Sequence, residues 1–388
     1  MLRAPRVDEP VTPEPQRARW REVALLFLRL GFTAFGGPAA HIALMEEEVV
    51  RRRRWLTHER FLDMLGAANL IPGPSSSELC VFIGYEQAGL VGLLAAGVCF
   101  VLPAAVMSGA MAWAYVTYGS LPRVGGVLYG IKPVVIAIVA QALLGLAPKA
   151  LKRSRWLALL AVAAGAATAL GVDALLVLLG AGALAAAPAA RRAYPDGTSR
   201  PLLLGPLVAA GASPPVAVGL GALFLVFLKL GAVVFGSGYV LVAFLRSELV
   251  ERLHWLSEAQ LIDAVAVGQV TPGPVFTTAT FIGYLLAGTR GAAVATLAIF
   301  LPGFVLVGAI RPLVTWVRRT PPLGAFLDGV NVASVALMAV VTVRLAVGSL
   351  VDVLTAALAA VSLALLLRLK VSPTWLMVGG AVVGWLHS

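Results

Sequence analysis

The sequence predicts an all-α polytopic membrane protein whose two homologous halves form an inverted repeat with broken, re-entrant half-helices. Three observations carry that prediction. First, the 388-residue chain is 60% hydrophobic and 13% charged with a mean hydropathy of +0.91, which is more apolar surface than a soluble domain can cover. Second, one line of residues is written twice. Phe27 to Gly37, Glu48, Trp55-Leu56, Asp63, Asn69, Pro72-Gly73-Pro74, Phe82 to Tyr85 and Leu102-Pro103 return as Phe227 to Ser237, Glu248, Trp255-Leu256, Asp263, Gln269, Pro272-Gly273-Pro274, Phe281 to Tyr284 and Leu301-Pro302. The offset is 200 through Pro-Gly-Pro and 199 beyond it, the mark of an internal duplication. Third, the basic residues do not follow the repeat. Half one gathers Arg51 to Arg54 after its first apolar segment and Lys149, Lys152, Arg153 and Arg155 after its fourth, whereas half two gathers Arg311, Arg318 and Arg319 after its third. Cytoplasmic loops are the basic ones, so the halves are expected to lie in the membrane with opposite orientation.

Residues 1–21 read as a cytoplasmic tail: Arg3, Arg6, Arg17, Arg19 and Arg21 stand among Pro and Glu, with no cleavage site after a short apolar core. The first repeat is placed at 22–188, with six apolar segments. Segment one, Glu22 to Val50, is interrupted at Gly36-Gly37-Pro38, and segment two, Thr57 to Gln87, at Pro72-Gly73-Pro74. Neither reads as one plain helix, because proline removes a backbone donor and clashes with the preceding turn. Segments three and four, Gly89 to Tyr118 and Val124 to Ala147, are long; five and six, Trp156 to Leu170 and Val172 to Ala187, are short and read as scaffold. A polar linker at 189–215 follows. The second repeat, 216–388, places its segments at Ala217 to Val250, Glu258 to Ala287, Gly291 to Ile310, Gly324 to Val347, Val351 to Leu369 and Thr374 to Leu386. An inversion needs an odd number of crossings between equivalent points. One segment is therefore re-entrant, and the broken first, flanked by Arg17 to Arg21 and Arg51 to Arg54, is the natural one.

The net charge of +11 is explained by basic loops and does not call for a nucleic-acid partner; the surface met by most of the chain is the lipid bilayer. Cys80 and Cys99 lie in apolar runs without metal or redox spacing, and His41, His58, His254 and His387 are scattered. Gly180 to Ala185 reads GAGALA, a formal dinucleotide fingerprint, but it lies in an apolar segment and reads as helix packing. Without a flavin, nucleotide, metal or nucleophile constellation, no enzyme and no cofactor or metal is expected.

The residues that carry chemistry lie at the two Pro-Gly-Pro breaks. A proline suits the first helical position because its missing amide has no partner there anyway. With Pro72 and Pro272 ending one half-helix and Pro74 and Pro274 starting the next, the amides of Ser75, Ser76 and Ser77, and of Val275, Phe276 and Thr277, are expected to face one spot at the positive end of a helix dipole. That spot suits an anion. Gly73 and Gly273 permit the turn. The hydroxyls of Ser75 to Ser77, Thr277 and Thr278 add donors, as do Asn69 and Gln269. Arg29 and Lys229 hold equivalent places inside apolar segments and are candidates to neutralise the anion or to balance Asp63 and Asp263, because charge kept within a membrane segment is costly. Lys132 is a second candidate charge, although Asn331 stands at its counterpart. Glu78, on the first turn after the break, is a candidate for proton coupling. Glu46 to Glu48 with Arg51 to Arg54 read as a solvated face of ion pairs.

This set of motifs resembles the chromate ion transporter family in its two-domain form. It is carried by Phe35 to Pro38, Trp55-Leu56, Pro72 to Pro74, Ile83 to Tyr85, Leu102-Pro103 and their counterparts, with Ser237-Gly238 departing where Gly-Pro would complete the second copy. The resemblance implies proton-motive export of chromate from a bacterial cytoplasm across the cytoplasmic membrane, and chromate resistance, with sulfate as a chemical look-alike. Uptake or exchange of sulfate or another oxyanion, and a passive anion channel, are the alternatives. A homodimer is compatible with the sequence.

Overall fold

The computed structural model describes residues 19–35, 37–69, 71–119, 122–152, 154–193, 218–234, 238, 240–309 and 321–387. The expected break residue Gly36, most of the N-terminal tail, the linker from residue 194 and the basic residues Arg311, Arg318 and Arg319 lie outside them. Every regular element among the described residues is helical. Among the described residues five helical stretches are long and apolar enough to cross a bilayer: Ser75–Tyr118, Gly125–Leu151, Ala174–Arg191, Val275–Ala309 and Pro322–Ser349.

Half one begins with α1 (Trp20–Thr33), interrupted after Ala34 and continued by α2 (Gly37–Glu46), which widens into a π-helical turn at Glu47–Arg52. Then come α3 (His58–Ala68), capped by Thr57, and, after the Pro-Gly-Pro break, α4 (Ser75–Tyr118). α4 is not one rod. Ala88 leaves helical geometry and Gly89 takes φ +61°, a left-handed value that costs glycine little. A methyl added to Gly84 would lie 2.3 Å from the carbonyl of Gly92, whereas in a straight helix eight residues span about 12 Å. The chain therefore doubles back, and the arm before Gly89, about 20 Å long, is too short to cross a hydrocarbon core of about 30 Å. The half closes with α5 (Pro122–Leu151), α6 (Arg155–Ala169) and α7 (Ala174–Ala193).

Half two repeats this order: α8 (Leu220–Val233), α9 (Val240–Leu245) with a π-helical turn at Arg246–Arg252, α10 (Glu258–Val270), a 3₁₀ turn at Val275–Thr277, and α11 (Thr278–Ala309). α11 doubles back at Gly288, φ +61°. α12 (Pro321–Ser349), α13 (Val353–Ala364) and α14 (Pro373–His387) complete it. The expected interruptions and the boundaries near Gly89 and Gly288 are all present.

The halves interlace. α4 packs along α11 at their meeting line, α5 packs on α13 and α14 of the other half, and α12 packs on α6 and α7. Small residues permit these crossings, since helices in lipid associate mainly by close van der Waals approach. A methyl on Gly130 of α5 would fall 1.9 Å from the Gly380 carbonyl of α14, and one on Gly329 of α12 would fall 2.4 Å from the Ala181 carbonyl of α7. The GAGALA stretch is thus a helix-packing surface, as its apolar setting implied. Gly130→Leu is expected to overpack this crossing by about 1–3 kcal/mol and to lower the melting temperature in detergent. Gly125→Leu, where an added methyl meets nothing within 4 Å, should leave it nearly unchanged.

Candidate oxyanion site

Each Pro-Gly-Pro turn is docked into the opposite half. The Gly73 amide donates to the carbonyl of Val234, the residue that ends α8, at 2.7 Å; the Gly273 amide donates to the carbonyl of Ala34, which ends α1, at 2.9 Å. These bonds are images of each other under the 200-residue offset, so the four broken helices meet by reciprocal main-chain contacts. Gly73 has φ +126° and Gly273 φ +84°, conformations that open the turn only for residues without a side chain. Residues 71–81 and 271–283 are buried throughout.

Two sequence expectations are corrected in detail. Pro74 and Pro274 stand one place earlier than the first helical position, as extended cap residues. Their carbonyls accept the amides of Ser77 (2.7 Å) and Thr277 (3.0 Å), so the third amide of each copy closes the turn and at most two per copy remain for a ligand. The one-residue shortening of the second copy falls here too, taken up by the tighter 3₁₀ turn at Val275–Thr277.

The side chains divide the two copies. Ser76 Oγ lies 3.3 Å from His41 Nδ1, and His41 Nε2 lies 3.0 Å from the Ala34 carbonyl. Nε2 must donate to a carbonyl, so Nδ1 accepts from the Ser76 hydroxyl. Ser77 Oγ and Glu78 Oε2 are buried without a hydrogen-bond partner. In the second copy Thr277 and Thr278 donate to the carbonyls of Pro274 and Val275 at 2.8 Å each, and the Thr277 carbonyl accepts from Ser108 Oγ at 3.0 Å. Val275 and Phe276 fill the space where the first copy has serines, and both are buried. Asn69 is exposed at the end of α3, whereas Gln269 in α10 keeps a buried amide nitrogen without a partner.

The candidate charges find partners away from the breaks. Each π-helical turn faces a buried glutamate towards the cation of its own first half-helix: Glu48 meets Arg29 at 3.8 Å, Arg52 at 3.1 Å and Arg53 at 3.4 Å, and Glu248 meets Lys229 at 3.0 Å and Arg252. Glu48, only 7% exposed, thus departs from the solvated face expected for Glu46 to Glu48. Arg29 itself is 62% exposed along its side chain. Lys132 of α5 lies 3.1 Å from Asp263 of α10, and Tyr115 donates to the same carboxylate at 2.9 Å. This triad, centred on the buried Asp263, joins the halves; at the equivalent place of the other copy Asp63 is exposed and Asn331 stands where the lysine would be.

His41, Ser108, Tyr115 and Gly303 were not singled out by sequence. Only Gly303 left a signal, because it stands where the first copy has Ala104 after the same Leu-Pro. Among the described residues no three His, Cys, Asp or Glu side chains are grouped to hold a metal.

Duplicated broken helices in an apolar helical scaffold, with donor-lined turns buried where the halves meet, define a multi-pass membrane protein of the transporter class. Residues 21–186 and 221–385 each match the model of the chromate transporter family, and the chain belongs to that family. It is 37% identical over 376 residues to a chromate transport protein of Cupriavidus metallidurans, covering 94% of this chain and 92% of that one. It is 35% identical to a probable chromate transport protein of Synechococcus elongatus (86% of each chain) and 32% identical to a chromate transport protein of Pseudomonas aeruginosa (82% of this chain, 79% of the other). No solved structure matches the chain significantly.

Proposed function

We propose that the protein is a secondary transporter that exports chromate across the bacterial cytoplasmic membrane at the expense of the proton motive force, and so confers chromate resistance. The observation that carries this is the pair of Pro-Gly-Pro breaks, docked reciprocally into opposite halves of a chain whose relatives are named for chromate transport. The oxyanion is bound at the breaks beside Gly73 and Gly273, within the stretches Ser75 to Ser77 and Val275 to Thr278. Gln269 and Asn69 are supplementary donors, and Arg29, Lys229 and Lys132 set the surrounding potential. The opposed basic loops of the two halves support an inverted arrangement, in which the half-helix ends approach the membrane midplane from opposite sides. Exposure of the breaks to alternate faces then moves the ion.

Chromate and sulfate are both tetrahedral oxyanions, so amides and hydroxyls bind either with similar geometry. The test is flux of each ion in vesicles containing the purified protein, with and without an imposed pH gradient. Chromate movement that responds to the gradient is the expected result. Movement of sulfate alone reassigns the substrate, movement of both indifferent to any gradient points to a channel, and movement of neither overturns the proposal.

A further inference from the structure

The same chain handles its buried glutamates in two ways. Glu48 and Glu248 are each given cations, as a buried carboxylate ordinarily requires. Glu78 is equally buried, at 3% exposure, yet among the described residues no cation pairs with it and its Oε2 has no hydrogen-bond partner. Its carboxyl lies in the first break. A methyl on Gly73 would fall 2.1 Å from Oε1, and a methyl on Gly303 of the other half would fall 2.6 Å from the same atom. The carboxyl is therefore held between the Pro-Gly-Pro main chain and α11.

Residue choice in the two copies matches this placement. Beyond the break the 199-residue offset pairs Glu78 with Thr277 and Gly303 with Ala104. Where the carboxylate is present, the facing residue has lost its methyl. Where threonine replaces the carboxylate, alanine is kept, and its Cβ lies 3.0 Å from the methyl position of Gly273. Beside Glu78, Ser77 Oγ is the second buried polar atom without a partner. An anion's oxygens would satisfy that hydroxyl.

We propose that Glu78 is a tethered competitor for the oxyanion: ionised, its carboxylate occupies the first break, and the oxyanion takes that place only after Glu78 has accepted a proton. This rests on the break being the oxyanion site. Two negative charges in a buried space repel with less screening than in water, so only one of them is held at a time. Among the described residues the other groups around this arm supply no competing charge switch at the break. α2 presents His41, which is engaged by Ser76 and Ala34; α4 presents Cys80 and Cys99; α1 and α3 pack on the arm through Phe27, Leu30, Phe61 and Met64, and Arg60 of α3 pairs with Glu86 near the arm's far end; and α11 presents Gly303. The proton and the oxyanion consequently travel in the same direction. A divalent ion with one proton still carries one net negative charge, so export draws on the interior-negative potential, the electrical part of the proton motive force, and is opposed by an outside-acid pH gradient, which drives the ion inward.

The test uses sealed vesicles with purified wild type and Glu78→Gln, the membrane potential clamped at zero, and an internal pH dye. Sulfate and chromate are followed separately; sulfate stays divalent and so isolates the protein's proton from the ion's own. In wild type an outside-acid gradient is expected to accumulate the ion about tenfold per pH unit for one proton per ion, with internal acidification. In Glu78→Gln the ion should run down its own gradient without accumulation and without a dye response. A Glu78→Gln protein that accumulates like wild type, or that is folded and inert, overturns the inference, as does wild-type flux without proton movement. Wild type that moves neither ion overturns the oxyanion reading of the break and this inference with it. Gly303→Ala, which crowds the carboxylate in an otherwise intact chain, gives a second readout: the pH of half-maximal uptake should shift, and an unchanged profile sinks the proposal.

Discussion

Replacing Gly73 with valine is expected to abolish oxyanion flux, by about 100-fold or more, in protein that still elutes as a folded species from size-exclusion chromatography. Two effects combine. The backbone at Gly73 has φ +126°, and holding a β-branched residue there costs about 1–3 kcal/mol. The first side-chain atom would also arrive 2.1 Å from Glu78 Oε1, so either the carboxylate leaves or the turn opens. Opening the turn breaks the bond from the Gly73 amide to Val234. Gly273→Val meets the same backbone problem at φ +84°, but the atom nearest its added Cβ is the Ala104 methyl at 3.0 Å, a milder approach than the 2.1 Å met at Gly73. Its flux should fall as well, with the smaller change in protein stability. Flux in vesicles, read beside helical content by circular dichroism, checks both. Wild-type rates in either variant would remove the breaks from the transport site.

The second large effect is expected at the triad of Lys132, Asp263 and Tyr115. Asp263 is 3% exposed, and its partners come from α5 and α4 of the other half. Substituting Lys132→Met strands a buried carboxylate and should destabilise the folded protein by about 3–5 kcal/mol. Asp263→Leu removes the partner of an ammonium that is still 23% exposed along its side chain and should cost less. The double variant removes both charges and should recover most of that loss, because an apolar pair of similar volume is often as stable as the ion pair it replaces. Unfolding in detergent measured for the two singles and the double gives the coupling directly. Additive losses would mean that the two residues do not act as a pair.

Much of this arrangement was legible in the sequence, for a physical reason. Backbone polar groups in an apolar setting must be satisfied, so Pro72-Gly73-Pro74 and Gly36-Gly37-Pro38 inside hydrophobic runs announce broken helices, and their duplication announces that the breaks belong together. The turns at Gly89 and Gly288 showed as segment boundaries. What was not legible depends on which faces meet. In lipid the inward and outward faces of a helix are both apolar, so α5 and α12 carry no pattern that says they pack on the other half's last helices. Gly130 and Gly329 mark a crossing but not the partner. Charge partners were hidden similarly: nothing near Lys132 in the chain points to Asp263, and only the widened π turns turn Glu48 and Glu248 inward towards Arg29 and Lys229. At the site itself, the shift of Pro74 and Pro274 by one place and the capture of the third amide follow from the tightness of the first turn, which residue types alone do not set.

The reciprocal bonds from Gly73 to Val234 and from Gly273 to Ala34 bear on biogenesis. When the ribosome has released only the first half into the bilayer, the Gly73 donor has no counterpart yet made and the Ala34 carbonyl has only His41 of its own half. Both sockets are left incomplete in a medium that cannot hydrate them. The nascent half must wait for its twin before its breaks can close, and a half produced alone has one remedy, a second copy bearing the same two sockets.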